Sequence, residues 1–415
     1  YSGGQSVTLD EARALDAADP LAFTRERFAL PDGIIYLDGN SLGALPKASA
    51  ARVAQTIENE WGRDLIASWN KHGWIEQSAT LAAMLAPIIG AAADEILVGD
   101  STSINLAKLL GAAIKARPGR RVILSETGNF PTDLYIAAAV QGAELRTVAA
   151  AELPAALTDE VAVLMLTHVD YRSAKVHDMA ALSRAAQDVG ALALWDLSHS
   201  AGAVELELTA SGADLAVGCG YKYLNGGPGA PAYLFVARRL QEQLANPLPG
   251  WFGHADPFAF EPDYRPAPGI ARFTSGTPSI IAMAALEVGL ASFDGVAMAD
   301  LAAKSRALSE LLRTEIEARC PQLILASPTD PSMRGSHLVF AHPNAYALMQ
   351  ALIARGVIGD FRAGDGRSHP DILRFGFTPL YVGFTDVWNA VEHLRQVLQT
   401  GEWKRPEFNR KHAVT

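Results

Sequence analysis

The chain has 415 residues, 49% of them hydrophobic and 19% charged, and a formal net charge of -10. This composition can bury a large core, and the length predicts two or three structural domains. The acidic balance without any Lys/Arg cluster excludes a nucleic-acid partner. The longest uncharged apolar stretch, residues 81–93, is interrupted by Pro87 and Gly90 and falls short of the roughly 20 residues of a membrane-spanning helix, so no membrane association is expected.

No basic, apolar targeting pattern follows Tyr1, and Cys219 and Cys320 are too few for a disulfide framework; both features predict a cytoplasmic protein, and no metal is expected. In chain order, residues 98–236 alternate short apolar runs with Ala-rich helical stretches. That alternation predicts an α/β fold with a mainly parallel sheet between helices. The runs Glu95-Ile-Leu-Val-Gly99, Arg121-Val-Ile-Leu124, Val161-Ala-Val-Leu-Met-Leu166 and Ala191-Leu-Ala-Leu-Trp195 read as buried strands.

Ser101 and Thr102 follow the first of these strands and open a helix, where backbone N–H groups can cradle a phosphate. A plain N-cap role is the alternative and is compatible with it. After the second strand, Gly128-Asn-Phe-Pro-Thr-Asp133 offers Phe130 to stack on a flat ring and Asp133 as a nearby carboxylate; a core aromatic and a helix cap are the other readings.

The most informative stretch begins at Trp195. One apolar strand delivers Asp196 to its carboxyl end, and a second delivers Lys222 just ahead of a Gly-Gly-Pro-Gly turn. Strand carboxyl ends are where open α/β sheets bind ligands. A lysine that can form a Schiff base, paired with a carboxylate that keeps a pyridine nitrogen protonated, is what pyridoxal 5'-phosphate requires. Apolar neighbours favour the amine form of such a lysine and make it a better nucleophile.

Residues 247–278 are rich in Pro, Gly and aromatics and predict a long ordered loop. A helix resumes near Ser279. Beyond Leu301, helices and strand-like runs such as Gly335-Ser-His-Leu-Val-Phe340 predict a smaller α+β domain. The expected division is an N-terminal segment, 1–46, joining the small domain; a large cofactor-binding domain, 47–295; and a small C-terminal domain, 296–415.

Several segments together resemble the kynureninases, in the class V branch of the aspartate-aminotransferase-like, fold type I pyridoxal-phosphate enzymes. They are Tyr36-Leu-Asp-Gly-Asn-Ser-Leu-Gly43, Phe130-Pro-Thr-Asp133, Trp195-Asp-Leu-Ser-His-Ser-Ala-Gly202, Gly220-Tyr-Lys-Tyr-Leu-Asn-Gly-Gly-Pro-Gly229, Gly250-Trp-Phe-Gly253, Phe273-Thr-Ser-Gly-Thr-Pro278 and Leu373-Arg-Phe-Gly-Phe-Thr-Pro-Leu-Tyr381. The aspartate and lysine segments are general to the superfamily. The Asn-Ser-Leu-Gly, Gly-Trp-Phe-Gly and Arg-Phe-x-x-x-Pro-Leu-Tyr segments are more specific to the family.

The resemblance implies hydrolysis of L-kynurenine to anthranilate and L-alanine, in tryptophan catabolism, by a homodimer with its active site at the subunit interface. It implies Lys222 as the Schiff-base lysine, Asp196 on the pyridine nitrogen, Phe130 on the ring with His199 beside it, and Thr102 and Tyr221 on the phosphate. Tyr221 is implied as acid and base, with Lys222 as its partner. Trp251 and Thr277 are implied to reach the site from the partner subunit, and Arg374 to hold the substrate's α-carboxylate, a task suited to a bidentate guanidinium. Ser41, Trp69 and Thr277 are candidates for the substrate's ring pocket. Trp69 offers a ring hydroxyl no partner, so kynurenine is expected over its 3-hydroxy form.

A cysteine desulfurase or an aminotransferase of the same class is the alternative. A desulfurase needs a reactive cysteine on a mobile loop. Neither Cys219, close to Lys222 in an apolar strand, nor Cys320, before Pro321, suits that need.

Overall fold

The computed structural model describes residues 5–366 and 369–410. After a short strand, β1 (Ile35–Tyr36), come seven more: β2 (Ile96–Val98), β3 (Val122–Glu126), β4 (Glu144–Val148), β5 (Val161–Thr167), β6 (Leu192–Asp196), β7 (Leu215–Gly218) and β8 (Tyr233–Val236). Strands β2 to β8 form one sheet in the order β2-β8-β7-β6-β5-β3-β4. Strand β3 pairs in parallel with β4 and β5, β5 with β6, and β6 with β7, whereas β8 runs antiparallel to both β7 and β2. The mainly parallel sheet read from the sequence is therefore present, with one reversed strand.

Every residue of β3, β5 and β6 is buried, so both faces of the sheet centre are covered, and these strands carry unbroken apolar runs instead of an alternation. Strand β4 was not legible as a strand. It lies at the sheet edge, half exposed, with Arg146 bonded to Glu144 and Glu160, each at 3.1 Å. Charges of this kind blunt a sheet edge against further pairing, and they also hide its apolar pattern.

Downstream lie β9 (Ile324–Leu325), β10 (His337–Ala341), β11 (Val357–Ile358), β12 (Asp360–Arg362) and β13 (Ile372–Gly376). Four of these form an antiparallel sheet ordered β12-β13-β10-β9, and β11 pairs in parallel with β1. The helix Leu9–Ala17 packs against the helix Phe384–Thr400. The Asp16 carboxylate accepts from the backbone N–H groups of Phe384 and Thr385 at 2.6 and 3.0 Å, supplying acceptors to donors that a helix start leaves unsatisfied. The first and last described segments thus share one body.

Residues 247–278 form the predicted irregular loop, with two short 3-10 turns, Trp251–Gly253 and Gly269–Phe273. Lys108, wholly buried in the helix Thr102–Ala116, ties this loop down: its Nζ donates to Phe273 O at 2.8 Å and to Asp100 Oδ2 at 2.6 Å. Parallel register places Thr167, at the end of β5, beside Asp196, at the end of β6, which in turn pairs with Val217 of β7.

Candidate active site

The loops that leave the carboxyl ends of β2, β3, β5, β6 and β7 open on one cavity of about 270 Å³. It is lined by Thr102, Phe130, Asp133, Asp196, His199, Tyr221 and Lys222, all singled out in the sequence, together with Ser103, Thr132, Thr167, Tyr171 and Ser198. This is the carboxyl edge of the sheet, where chain crossovers leave a crevice.

Local structure explains each position. Pro131 sits in the first turn of the helix Pro131–Ala139, so Phe130 precedes that helix in a non-helical conformation, and its ring meets Tyr171 edge-on at 5.3 Å. Asp133, in the first turn of the same helix, is buried against the sheet. Asp196 is held by Ser198, whose backbone N–H and hydroxyl both donate to its Oδ1, at 2.8 and 2.6 Å. Lys222 Nζ lies 3.2 Å from His199 Nε2, which is also 3.2 Å from Asn40 O. Burial, followed by the charge of Lys222, pushes His199 well below the ordinary histidine range. The ring is neutral at pH 7, and it positions the lysine amine without competing for its proton.

Asp133 is pushed up to about 9, first by burial and then by the charge of Asp196. It is neutral at pH 7. Asp133 Oδ2 has no hydrogen-bond partner. A buried polar atom of this kind, in a cavity that also holds the Asp196 carboxylate, fits a bound group that brings both a cationic ring nitrogen and polar ring substituents. The N-terminus of the helix Thr102–Ala116 fits an anionic phosphate at the opposite end of that group. The cavity therefore fits pyridoxal 5'-phosphate.

The structure also redistributes several roles. Ser101 is the N-cap of the helix Thr102–Ala116; its hydroxyl accepts from Ile104 N at 3.3 Å, so the cavity wall is made by Thr102 and Ser103 instead. Burial pushes the Tyr221 hydroxyl above the ordinary phenol range, with Cys219 and Asp196 adding to the effect, so it holds its proton at neutral pH. Ser41 lies beside Arg374: Ser41 Oγ donates to Asp360 Oδ2 at 3.1 Å, and Arg374 Nη2 donates to Ser41 Oγ at 3.2 Å. Trp69 packs instead on Trp74 and Phe252, ring centroids 5.8 Å away in each case. Trp251 packs on Phe252, Phe258 and Phe260, and Thr277 is exposed. Neither lines the cavity of its own chain. Arg374 is buried, and its Nη1 donates to the carbonyl of Tyr171, a cavity residue, at 2.9 Å, which sets it at the seam between the two sheets.

Thr167, Tyr171 and Ser198 were not singled out in the sequence. Thr167 ends β5 as Asp196 ends β6, so the strand-end rule that found one could have found the other. Tyr171 carries no motif and is placed by the turn after β5.

Solved structures share this fold. A cysteine desulfurase from Thermococcus onnurineus NA1 matches with a TM-score of 0.77 at 17% identity, covering 91% of this chain and 98% of that one. A mutant of the cystine C-S lyase C-DES, with glycine covalently linked to its PLP cofactor, matches with a TM-score of 0.76 at 17% identity, covering 89% and 98%. The fold is that of the fold type I pyridoxal-phosphate enzymes.

Sequence comparison is sharper. The kynureninase C-terminal domain matches residues 301–394. The chain is 52% identical to the kynureninase of Burkholderia mallei (strain ATCC 23344) over 420 residues, covering 98% of this chain and 100% of that protein. It is 50% identical to the kynureninase of Pseudomonas fluorescens over 421 residues, covering 99% and 100%. The chain belongs to the kynureninase family.

Proposed function

We propose that the protein hydrolyses L-kynurenine to anthranilate and L-alanine, as a step of tryptophan catabolism, with pyridoxal 5'-phosphate bound in the strand-end cavity. The observation that carries this reading is the convergence of Lys222 and Asp196 on one cavity, in a chain 52% identical to a kynureninase over nearly its whole length. Bound there, the cofactor withdraws electrons from the substrate's Cα.

The chain's own residues do the rest. Asp196, fixed by Ser198, holds the proton on the pyridine nitrogen. Phe130 covers the ring, and Thr102 and Ser103 receive the phosphate at the helix start. Lys222 holds the cofactor, takes the proton from Cα and returns it, with neutral His199 orienting its amine. Water adds to the side-chain ketone, and the Cβ–Cγ bond breaks. Tyr221, kept protonated by burial, donates a proton to the reacting side chain, with Lys222 sharing the traffic. Arg374 takes the substrate's α-carboxylate.

The working unit in this reading is a cytoplasmic homodimer in which Trp251 and Thr277 complete the partner's site. The exposed apolar surface around Ile57, Trp61, Leu65, Ile66 and Ile281 supports a subunit interface, because monomers rarely expose so many large apolar residues. The division 1–46, 47–295 and 296–415 is supported by the pairing of β1 with β11. A desulfurase is not favoured. Both cysteines are buried, and burial pushes both thiols up, Cys320 to about 12.

Borohydride reduction of the holoenzyme, followed by peptide mapping, tests the assignment. The cofactor fixed to Lys222, with kynurenine turnover abolished by Lys222→Ala, is the expected result. Label on another lysine, or near-normal turnover by the variant, would overturn it.

A further inference from the structure

Arg374 on β13 faces Asp360 on β12 directly across the antiparallel ladder. Its Nε donates to Asp360 Oδ1 at 2.8 Å, and its Nη2 bonds Asp360 Oδ2, so one whole edge of the guanidinium is engaged by a single carboxylate. The wholly buried Asn40 closes on the same edge. With its amide oxygen turned inward, that oxygen is 3.0 Å from Nε and 3.2 Å from Nη2.

Asp360 is itself held from two further sides, by Arg362 at 2.9 Å and by the Ser41 hydroxyl at 3.1 Å. A guanidinium presents five N–H donors in a rigid plane. Asp360 takes the Nε hydrogen and one Nη2 hydrogen, Ser41 Oγ takes the other Nη2 hydrogen and Tyr171 O takes one Nη1 hydrogen, so the donor left for an incoming carboxylate is on Nη1, beside Tyr171 of the cavity wall. Arg374 is 1% exposed. Without Asp360 the guanidinium would lose its directly bonded carboxylate, and its plane would be set by neutral acceptors alone, Tyr171 O, Ser41 Oγ and the Asn40 amide oxygen.

We infer that Asp360 is a positioning residue for substrate recognition, fixing the plane of Arg374 so that its Nη1 edge, beside Tyr171 of the cavity wall, is the one presented to the α-carboxylate. This rests on Arg374 being the carboxylate clamp proposed above. Asp360 touches neither the substrate nor the cofactor; it acts through Arg374. It would therefore influence only ligands that carry the carboxylate.

That selectivity separates positioning from a merely structural role. In the holoenzyme, KM and kcat for L-kynurenine are measured alongside the inhibition constant of decarboxylated kynurenine, the same molecule without its carboxylate. Three variants are compared with the wild type: Asp360→Asn, Asp360→Glu and Arg374→Lys. The isosteric amide of Asp360→Asn presents an N–H to a guanidinium N–H. We expect KM to rise by about tenfold or more with kcat changed less than about threefold, and the decarboxylated inhibitor to bind within about twofold of wild type. Asp360→Glu should recover part of the loss, and Arg374→Lys should show the same selective loss.

Equal weakening of kynurenine and the decarboxylated inhibitor in Asp360→Asn would make Asp360 structural and overturn the inference. An unchanged KM in Asp360→Asn beside a raised one in Arg374→Lys would overturn it while leaving the clamp intact. Unchanged binding in Arg374→Lys would remove the clamp, and the inference with it.

Discussion

Raising the pH through neutrality should weaken substrate binding, and Asp38→Asn should remove the effect. Asp38 follows β1 and faces Asp360, Arg362 and Arg374. Its carboxyl is pushed up to about 7 by burial first and then by Asp360, against the Ser41 hydroxyl and the two arginine charges. The other titratable groups facing it, Tyr36, Tyr223 and Tyr381, are held above the ordinary phenol range by burial and keep their protons throughout. Below pH 7 the two arginines are opposed by Asp360 alone, and the surplus positive charge suits an incoming carboxylate. Above pH 7 Asp38 ionises and the surplus disappears.

For a separation of about 10 Å between Asp38 and a docked carboxylate, taken as an order of magnitude, and an effective dielectric of about 20, the two like charges repel by about 1.7 kcal/mol. That energy corresponds to slightly more than one pKa unit, so Asp38 would titrate near 8 with substrate bound. Proton linkage then makes binding about sixfold weaker at pH 8 than at pH 6. The assay is KM for L-kynurenine across this range, with the decarboxylated inhibitor as the uncharged-end control. Asp38→Asn should give a flat profile at the tight, low-pH level. The same slope in that variant, or a flat wild-type profile, would refute the reasoning.

Other outcomes follow from the same geometry. In the folded apo protein Asp133 keeps its proton up to about 9, whereas an unfolded chain releases it near 3.9, so wild-type stability should decline as pH climbs between those values. Asp133→Asn escapes this cost, and the apo variant should melt above the wild type at pH 8 with the gap closing toward pH 4; a lower melting temperature at pH 8 would contradict it. Replacing Cys320 by alanine should leave kynurenine turnover within about twofold and cost about 1 kcal/mol of stability, read by thermal melting, because its buried thiol is a packing group.

The sheet centre was legible because β3, β5 and β6 are buried on both faces and so appear as uninterrupted apolar runs. The same logic hid β4, whose Glu144 and Arg146 belong to an edge. The reversed direction of β8 left no trace in its composition. Asp196 could be read because it ends an apolar strand and Lys222 because it follows one closely, in the turn beyond β7, while the part of Ser103 in the cavity wall depends on helical phase that the sequence does not announce. Asp360 was beyond reach. It sits on a three-residue strand, and its importance comes from its antiparallel register with Arg374. Contacts such as Arg374 to Tyr171 and His199 to Asn40 join segments far apart in the chain, and nothing local announces them.

The most direct test of the account is the product balance of the purified holoenzyme given L-kynurenine. The account predicts that each kynurenine consumed yields one anthranilate and one L-alanine, and that Lys222→Ala yields neither. Release of a keto acid, or a cofactor spectrum with no loss of kynurenine, would contradict it.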